Sequence, residues 1–127
     1  MKLIFLAEDD IDDQELLADS LNEIDHRIQL ISFSSGKKIL KYLDELPSSE
    51  LPSMIILDYN IPEMNGAEIL KQLEDSRYND VVKLVWSTSD SPTYKNNCLA
   101  LGASAYFVKP SNLGALQDVV RQMLAFI

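Results

Sequence analysis

Covalent staples are missing from this chain. Its 127 residues contain a single cysteine, Cys98, so no intramolecular disulfide can form, and a reducing compartment suits it. Positive charge is also scarce: 11 Lys and Arg face 20 Asp and Glu, a formal net charge of −9. A surface of that sign repels nucleic acid and anionic membrane unless its cations cluster. The densest group, Lys37, Lys38 and Lys41, is small, so no nucleic-acid and no membrane partner is expected. No apolar run approaches the ~20 residues of a membrane span. The opening MKLIFLA is too short for the core of a signal peptide, and EDD follows it at once. A soluble cytoplasmic protein is expected. What remains is ordinary for a folded domain, with 46% apolar and 24% charged residues. The length is that of one domain, about 100–150 residues, so 1–127 is read as one unit.

The acidity is uneven. Glu8, Asp9, Asp10, Asp12, Asp13, Glu15, Asp19, Glu23 and Asp25 all lie in the first 25 positions. For Asp12, Asp13, Glu15, Asp19, Glu23 and Asp25 a solvated helix face and a favourable helix start are sufficient reasons. Glu8, Asp9 and Asp10 need another, because they close an apolar run.

Two periodicities alternate along the chain. Apolar runs at Leu3–Ala7 and Met54–Leu57 read as buried strands, and the mainly apolar segments Ile28–Phe33, Val81–Trp86 and Ala105–Val108 as the second, fourth and fifth strands. Between them, stripes at helical spacing predict helices: Leu17, Leu21 and Ile24; Ile39, Leu43 and Leu46; Leu70 and Leu73; Tyr94, Cys98 and Leu101; and Leu113, Leu116, Val120, Met123 and Ile127. Ser91 before Pro92 reads as an N-cap and first helical position, and Gly102 as a helix stop. Five strand–helix units in succession predict an α/β fold, a parallel sheet with helices on both faces and right-handed crossovers.

Ligands of open α/β sheets bind beyond the carboxyl ends of the strands. There the first strand ends in Glu8, Asp9 and Asp10, the third in Asp58, the fourth in Ser87 and Thr88, and the fifth in Lys109. Packed carboxylates repel unless one is neutral or a cation is present. Hard oxygen donors with room for water suit Mg²⁺. A carboxylate, a hydroxyl and an ammonium beside such a cation form a constellation for phosphoryl transfer, with Asp58 able to act as nucleophile. Taken singly, each residue has a plain reading as a loop or surface group; compatible groups at four strand ends are hard to obtain by chance.

The strings LAEDD, MIILDYNIPEMNG, LVWSTS and GASAYFVKP, in that order, resemble the receiver domain of two-component response regulators. The resemblance covers essentially the whole chain. It implies a doubly wound, flavodoxin-like (βα)5 fold with strand order 2-1-3-4-5. It makes Asp58 the phosphoacceptor, Asp9 the direct Mg²⁺ carboxylate, Glu8 an acid reaching the metal through water, and Asn60 a backbone-carbonyl ligand. Ser87 becomes the switch hydroxyl, with Thr88 beside it where a smaller residue is frequent. Lys109 pairs with the phosphoryl group and Tyr106 is the aromatic switch. A cis Lys109–Pro110 bond is expected on the same ground. Asp10 suits a helix N-terminus better than a metal. Trp86 is expected in the core, on the sheet face opposite Ser87, and Cys98 as a small core residue.

The expected donor is a phosphohistidine on a sensor histidine kinase or a histidine phosphotransfer protein. The chain is then a phosphoacceptor that assists its own modification, not an enzyme. Because it closes just after the last helix, its output is expected to be a contact with a downstream protein target through the face built by the fourth helix, fifth strand and fifth helix, or the domain is an intermediate carrier in a phosphorelay. A homodimer through that face and a monomer both suit the chain. An aspartate-nucleophile phosphatase is disfavoured, since Asn60 stands where its second Asp acts as general acid. A flavodoxin is disfavoured by the acidic EDDIDD loop, and an EF-hand by the absent central Gly and closing Glu. The remaining alternative is a pseudo-receiver, a binding module that is not phosphorylated; such domains usually lack an acid or the Lys, and here both are present.

Overall fold

The structure, a computed structural model, describes residues 2–127. Five strands, β1 (Lys2–Ala7), β2 (Ile28–Phe33), β3 (Met54–Leu57), β4 (Val82–Ser87) and β5 (Ala105–Val108), alternate with five helices. These are α1 (Ile11–Ile24), α2 (Gly36–Glu45), α3 (Gly66–Gln72), α4 (Pro92–Ala100) and α5 (Leu113–Leu124). All strand pairs are parallel, in the order β2-β1-β3-β4-β5. This is the doubly wound, flavodoxin-like architecture predicted above.

Strand alternation divides the core in two. Ile4, Leu6, Met54, Ile56, Leu84 and Trp86 pack with Leu17 and Leu21 of α1 and Leu116, Val120 and Met123 of α5. Phe5, Ala7, Ile55, Leu57 and Val85 pack on the other face with Ile39, Leu43, Ile69, Leu70 and Cys98, from α2, α3 and α4. The central strands β1 and β3 are therefore apolar on both sides, which is why they read as unbroken runs.

The helix starts carry side-chain caps. Asp10 accepts from the Asp13 N–H, Ser35 from Lys38, Asn65 from Glu68, Ser91 from Tyr94 and Asn112 from Ala115. Each meets one of the orphan amides of a first turn. Gly102 follows α4 at φ 106°, a left-handed conformation that favours glycine.

Two expectations are corrected. The Lys109–Pro110 bond is trans, as are all peptide bonds among the described residues. Trans is the lower-energy isomer by about 0.5–1 kcal/mol, and with it the Lys109 N–H donates to the Ser87 carbonyl at 2.7 Å. Leu113 opens α5 but is 56% exposed, and Ile127 lies beyond the helix, so the buried stripe is Leu116, Val120 and Met123. Gly66 begins α3 directly after the Asn65 cap.

Candidate functional site

The carboxyl ends of β1, β3 and β5 converge on one ammonium. Lys109 Nζ donates to Glu8 Oε1 at 2.5 Å, to Asp13 Oδ2 at 2.9 Å and to Asp58 Oδ2 at 3.2 Å. Its side chain is only 8% exposed. An ammonium has three protons to donate, and three carboxylates from two strand ends and a helix take them. Below it lies Trp86, whose ring centroid is 4.8 Å from Nζ. The indole is thus a core residue, as expected, and also the floor under Lys109.

Backbone geometry fixes the acids. The Glu8 N–H donates to the Phe33 carbonyl and the Asp58 N–H to the Ala7 carbonyl, which extends the ladder to both residues. The Asp10 N–H donates to Glu8 Oε2 at 3.1 Å, and the Asn60 N–H to Asp58 Oδ1 at 3.3 Å. Gln14 of α1 donates to the Glu8 carbonyl at 2.6 Å. Gly66 lets α3 start against β3. A Cβ there would lie 3.1 Å from Tyr59 Cα and 3.2 Å from the Asp58 carbonyl oxygen, so a larger residue would press on the backbone of Asp58.

Burial and charge act in opposite directions here. Glu8 is 1% exposed. Burial pushes its carboxyl up to about 7 against the hydrogen bonds from Lys109 and the Asp10 amide. For Lys109, burial pulls the ammonium down, but hydrogen bonds to Glu8 and Asp13 and the charge of Asp58 outweigh it, and the net shift is upward. A lysine with three carboxylate partners keeps its proton, so the site holds one fixed cation.

One oxygen each from Glu8, Asp9 and Asp58 lies within 4.8 Å of the others. Glu8, Asp9, Asp13 and Asp58 together outnumber the single ammonium. Excess carboxylate with oxygen-only donors, and Asp9 exposed on the solvent side, fits a hard divalent cation.

The remaining predicted residues stand around this centre. Ser87 is fully buried at the end of β4, and its Oγ accepts from the Ser89 N–H at 3.3 Å. Thr88 is exposed. Asn60 is exposed two residues beyond Asp58. Tyr106 is buried, with its hydroxyl donating to the Ser89 carbonyl at 2.7 Å; burial raises the phenol, with hydrogen bonds opposing. Asp10 caps α1, as expected. Asp13 is the residue that sequence reasoning missed, having been read as solvated helix surface. Its only signal was its place three residues after the Asp10 cap, which points a side chain back toward the helix start.

Fold and site together define a doubly wound α/β domain with an acidic, lysine-bridged pocket at the point where strand order reverses. Residues 4–121 match the family described as the response regulator receiver domain, and the chain belongs to that family. It is 38% identical over 85 residues to the two-component response regulator ORR11 of Oryza sativa subsp. indica, over 66% of this chain and 56% of that protein. It is 32% identical over 108 residues to ORR5 of Oryza sativa subsp. japonica, over 84% of this chain and 77% of that protein. The chain therefore spans little more than half of the first relative's length. Among solved structures it is similar to the phosphorylated cyanobacterial phytochrome response regulator RcpA, with a TM-score of 0.88, 26% identity and coverage of 98% of this chain and 92% of that one. It is also similar to the Mn(2+)-bound form of response regulator Rcp1, with a TM-score of 0.86, 25% identity and coverage of 99% and 94%.

Proposed function

We propose that this domain accepts a phosphoryl group on Asp58 from a phosphohistidine, carried by a sensor histidine kinase or a histidine phosphotransfer protein. The observation that carries the reading is Lys109, whose buried ammonium joins the Asp58 carboxylate to Glu8. An Asp58 oxygen attacks phosphorus, the phosphorus–nitrogen bond breaks, and the imidazole nitrogen keeps the electron pair. Lys109 offsets charge on the phosphoryl oxygens, and the Ser87 hydroxyl donates to one of them. The residues that would hold Mg²⁺ are Glu8, Asp9, Asp58 and the Asn60 backbone carbonyl. Bound there, the cation supplies further neutralisation of phosphoryl charge. The acidic cluster supports this assignment, as does the Mn(2+)-bound form of the similar protein Rcp1.

The domain assists its own phosphorylation and dephosphorylation and is not otherwise an enzyme. A phosphoryl group that draws on Ser87 biases Tyr106, and with it the face formed by α4, β5 and α5. That is a population shift driven by a local change of charge. A downstream protein would read that face, which would also serve a homodimer.

Intact-protein mass after incubation with acetyl phosphate and Mg²⁺ tests the reading, with wild type beside Asp58→Ala. One phosphoryl adduct is expected in the wild type and none in the variant or without Mg²⁺. No adduct from acetyl phosphate or from a phosphohistidine donor would leave the pseudo-receiver, a binding module whose acidic pocket is not phosphorylated.

A further inference from the structure

Lys109 is divided among partners, and the division is uneven. Its contact with Asp58, at 3.2 Å, is the longest of the three, and Asp13 at 2.9 Å holds it closer. Asp13 stands in the first turn of α1 with its backbone N–H fixed by the Asp10 cap. Its side chain is 28% exposed and reaches across 96 residues of sequence to Lys109. The helix dipole favours a carboxylate there, but it favours Asp12 equally. Asp12 is exposed and lies on the same turn. The dipole therefore does not account for the ion pair.

Resting on the phosphoacceptor reading above, we infer that Asp13 is a positioning residue for phosphoryl transfer, a competing counter-ion that holds part of the Lys109 ammonium away from Asp58. A phosphoryl group arriving on Asp58 must draw donors of Lys109 from its present partners. Glu8 is buried and bonded at 2.5 Å, so the contact with the more exposed Asp13 is the one that yields. Asp13 thereby sets how tightly the site holds a phosphoryl group, without touching that group itself. An uncharged residue at 13 would release the ammonium to Asp58 and tighten binding.

Trp86 supplies the readout. It is the chain's only tryptophan, and Lys109 Nζ lies over its ring. Movement of that charge changes the field on the indole and so its emission. The experiment is a titration of the whole chain with beryllofluoride, a phosphoryl mimic, at fixed saturating Mg²⁺, followed by Trp86 fluorescence. Wild type, Asp13→Asn, Asp13→Glu and Asp12→Asn are compared after thermal melts establish that each is folded. Asp13→Asn is expected to bind the mimic about three- to tenfold tighter, as for loss of one charge-assisted partner. Asp13→Glu restores the carboxylate and stays within about twofold of wild type. Asp12→Asn removes the same charge from the same turn and also stays within about twofold. Equal affinities for Asp13→Asn and Asp12→Asn overturn the inference, as does weaker binding by Asp13→Asn or a glutamate variant that behaves like the asparagine. Failure of the wild type to bind the mimic at all overturns the phosphoacceptor reading first, and this one with it.

Discussion

Tyr59 and Tyr94 are stacked face to face, with ring centroids 4.0 Å apart and planes 10° from parallel. Tyr59 follows Asp58 directly, and Tyr94 sits in the first turn of α4, where its N–H is capped by Ser91. The stack ties the loop that follows Asp58 to the helix that follows Ser87 and Thr88. Tyr59 is buried and its hydroxyl is raised, chiefly by that burial. Tyr59→Ala is expected to cost about 3 kcal/mol as a large-to-small change in the core. Urea unfolding of both single alanine variants and the double variant should give a coupling of about 1 kcal/mol for the ring pair. A coupling indistinguishable from zero would mean that the rings are neighbours without being linked.

Glu63 is the one non-glycine residue with positive φ among those described, at 73°, in the loop between Asp58 and α3. A left-handed conformation costs an ordinary L-residue about 1–2 kcal/mol, and a glycine returns part of that gain through its freer unfolded chain. Among the described residues the side chain pairs only with Lys37, at 3.9 Å and largely in solvent, so its removal costs little. Glu63→Gly is therefore expected to stabilise the domain by roughly 0.5–1 kcal/mol, the net of these effects. Thermal or urea unfolding checks this, and a loss of stability would show that the loop depends on the glutamate itself.

Strand positions were the easiest part of the fold to read. Ile28–Phe33, Met54–Leu57 and Ala105–Val108 have the predicted bounds, and in the central strand β3, covered on both faces, no polar residue interrupts the run. The cap at Ser91 and the stop at Gly102 were equally legible, being local chemistry. Glu8, Asp9, Asp58 and Lys109 meet because all stand at the same edge of the sheet, and topology alone predicts that. Asp13 was illegible for the opposite reason. Its role depends on how α1 is turned about its axis against a lysine 96 positions away, and no local pattern encodes that rotation. The expected cis bond failed because it was inferred from kinship, with no local requirement in this chain.

Cys98 is fully buried in the α2–α4 side of the core, and burial pushes its thiol up to about 11. The thiolate is the reactive form, so the native protein should not react with maleimide at pH 8 on the time scale of free cysteine; labelling should follow only unfolding. The shift also has a sign for stability. An acid raised from 9.0 in the unfolded chain to about 11 in the fold stabilises fully below the first value. That contribution is lost as pH rises through the second. Wild type should therefore lose stability more steeply than Cys98→Ala between pH 9 and 11. Parallel curves would place the thiol nearer solvent than its packing indicates.

Lys109 is the hinge of the site's electrostatics, and its removal tests the whole arrangement. Lys109→Ala leaves Glu8, Asp13 and Asp58 facing one another, with Glu8 buried. Breaking a buried pair on one side costs about 3–5 kcal/mol; with Asp13 partly in solvent, about 2–4 kcal/mol is expected at pH 8 without divalent cation. Glu8, raised to about 7 even beside the ammonium, rises further without it. A raised carboxyl stabilises below its unfolded value and loses that contribution as pH climbs through the folded one. The deficit of the variant should therefore shrink between pH 8 and 6 as Glu8 takes a proton. Mg²⁺ should stabilise both proteins by linkage, by about 2.7 kcal/mol at one hundred times its dissociation constant. It should stabilise the variant more, since no ammonium then competes for the oxygens of Glu8 and Asp58. Urea unfolding at pH 6 and 8, with and without Mg²⁺, separates these effects. If Mg²⁺ stabilises wild type and variant equally, the lysine and the cation do not share ligands, and the metal ligand set proposed here is wrong.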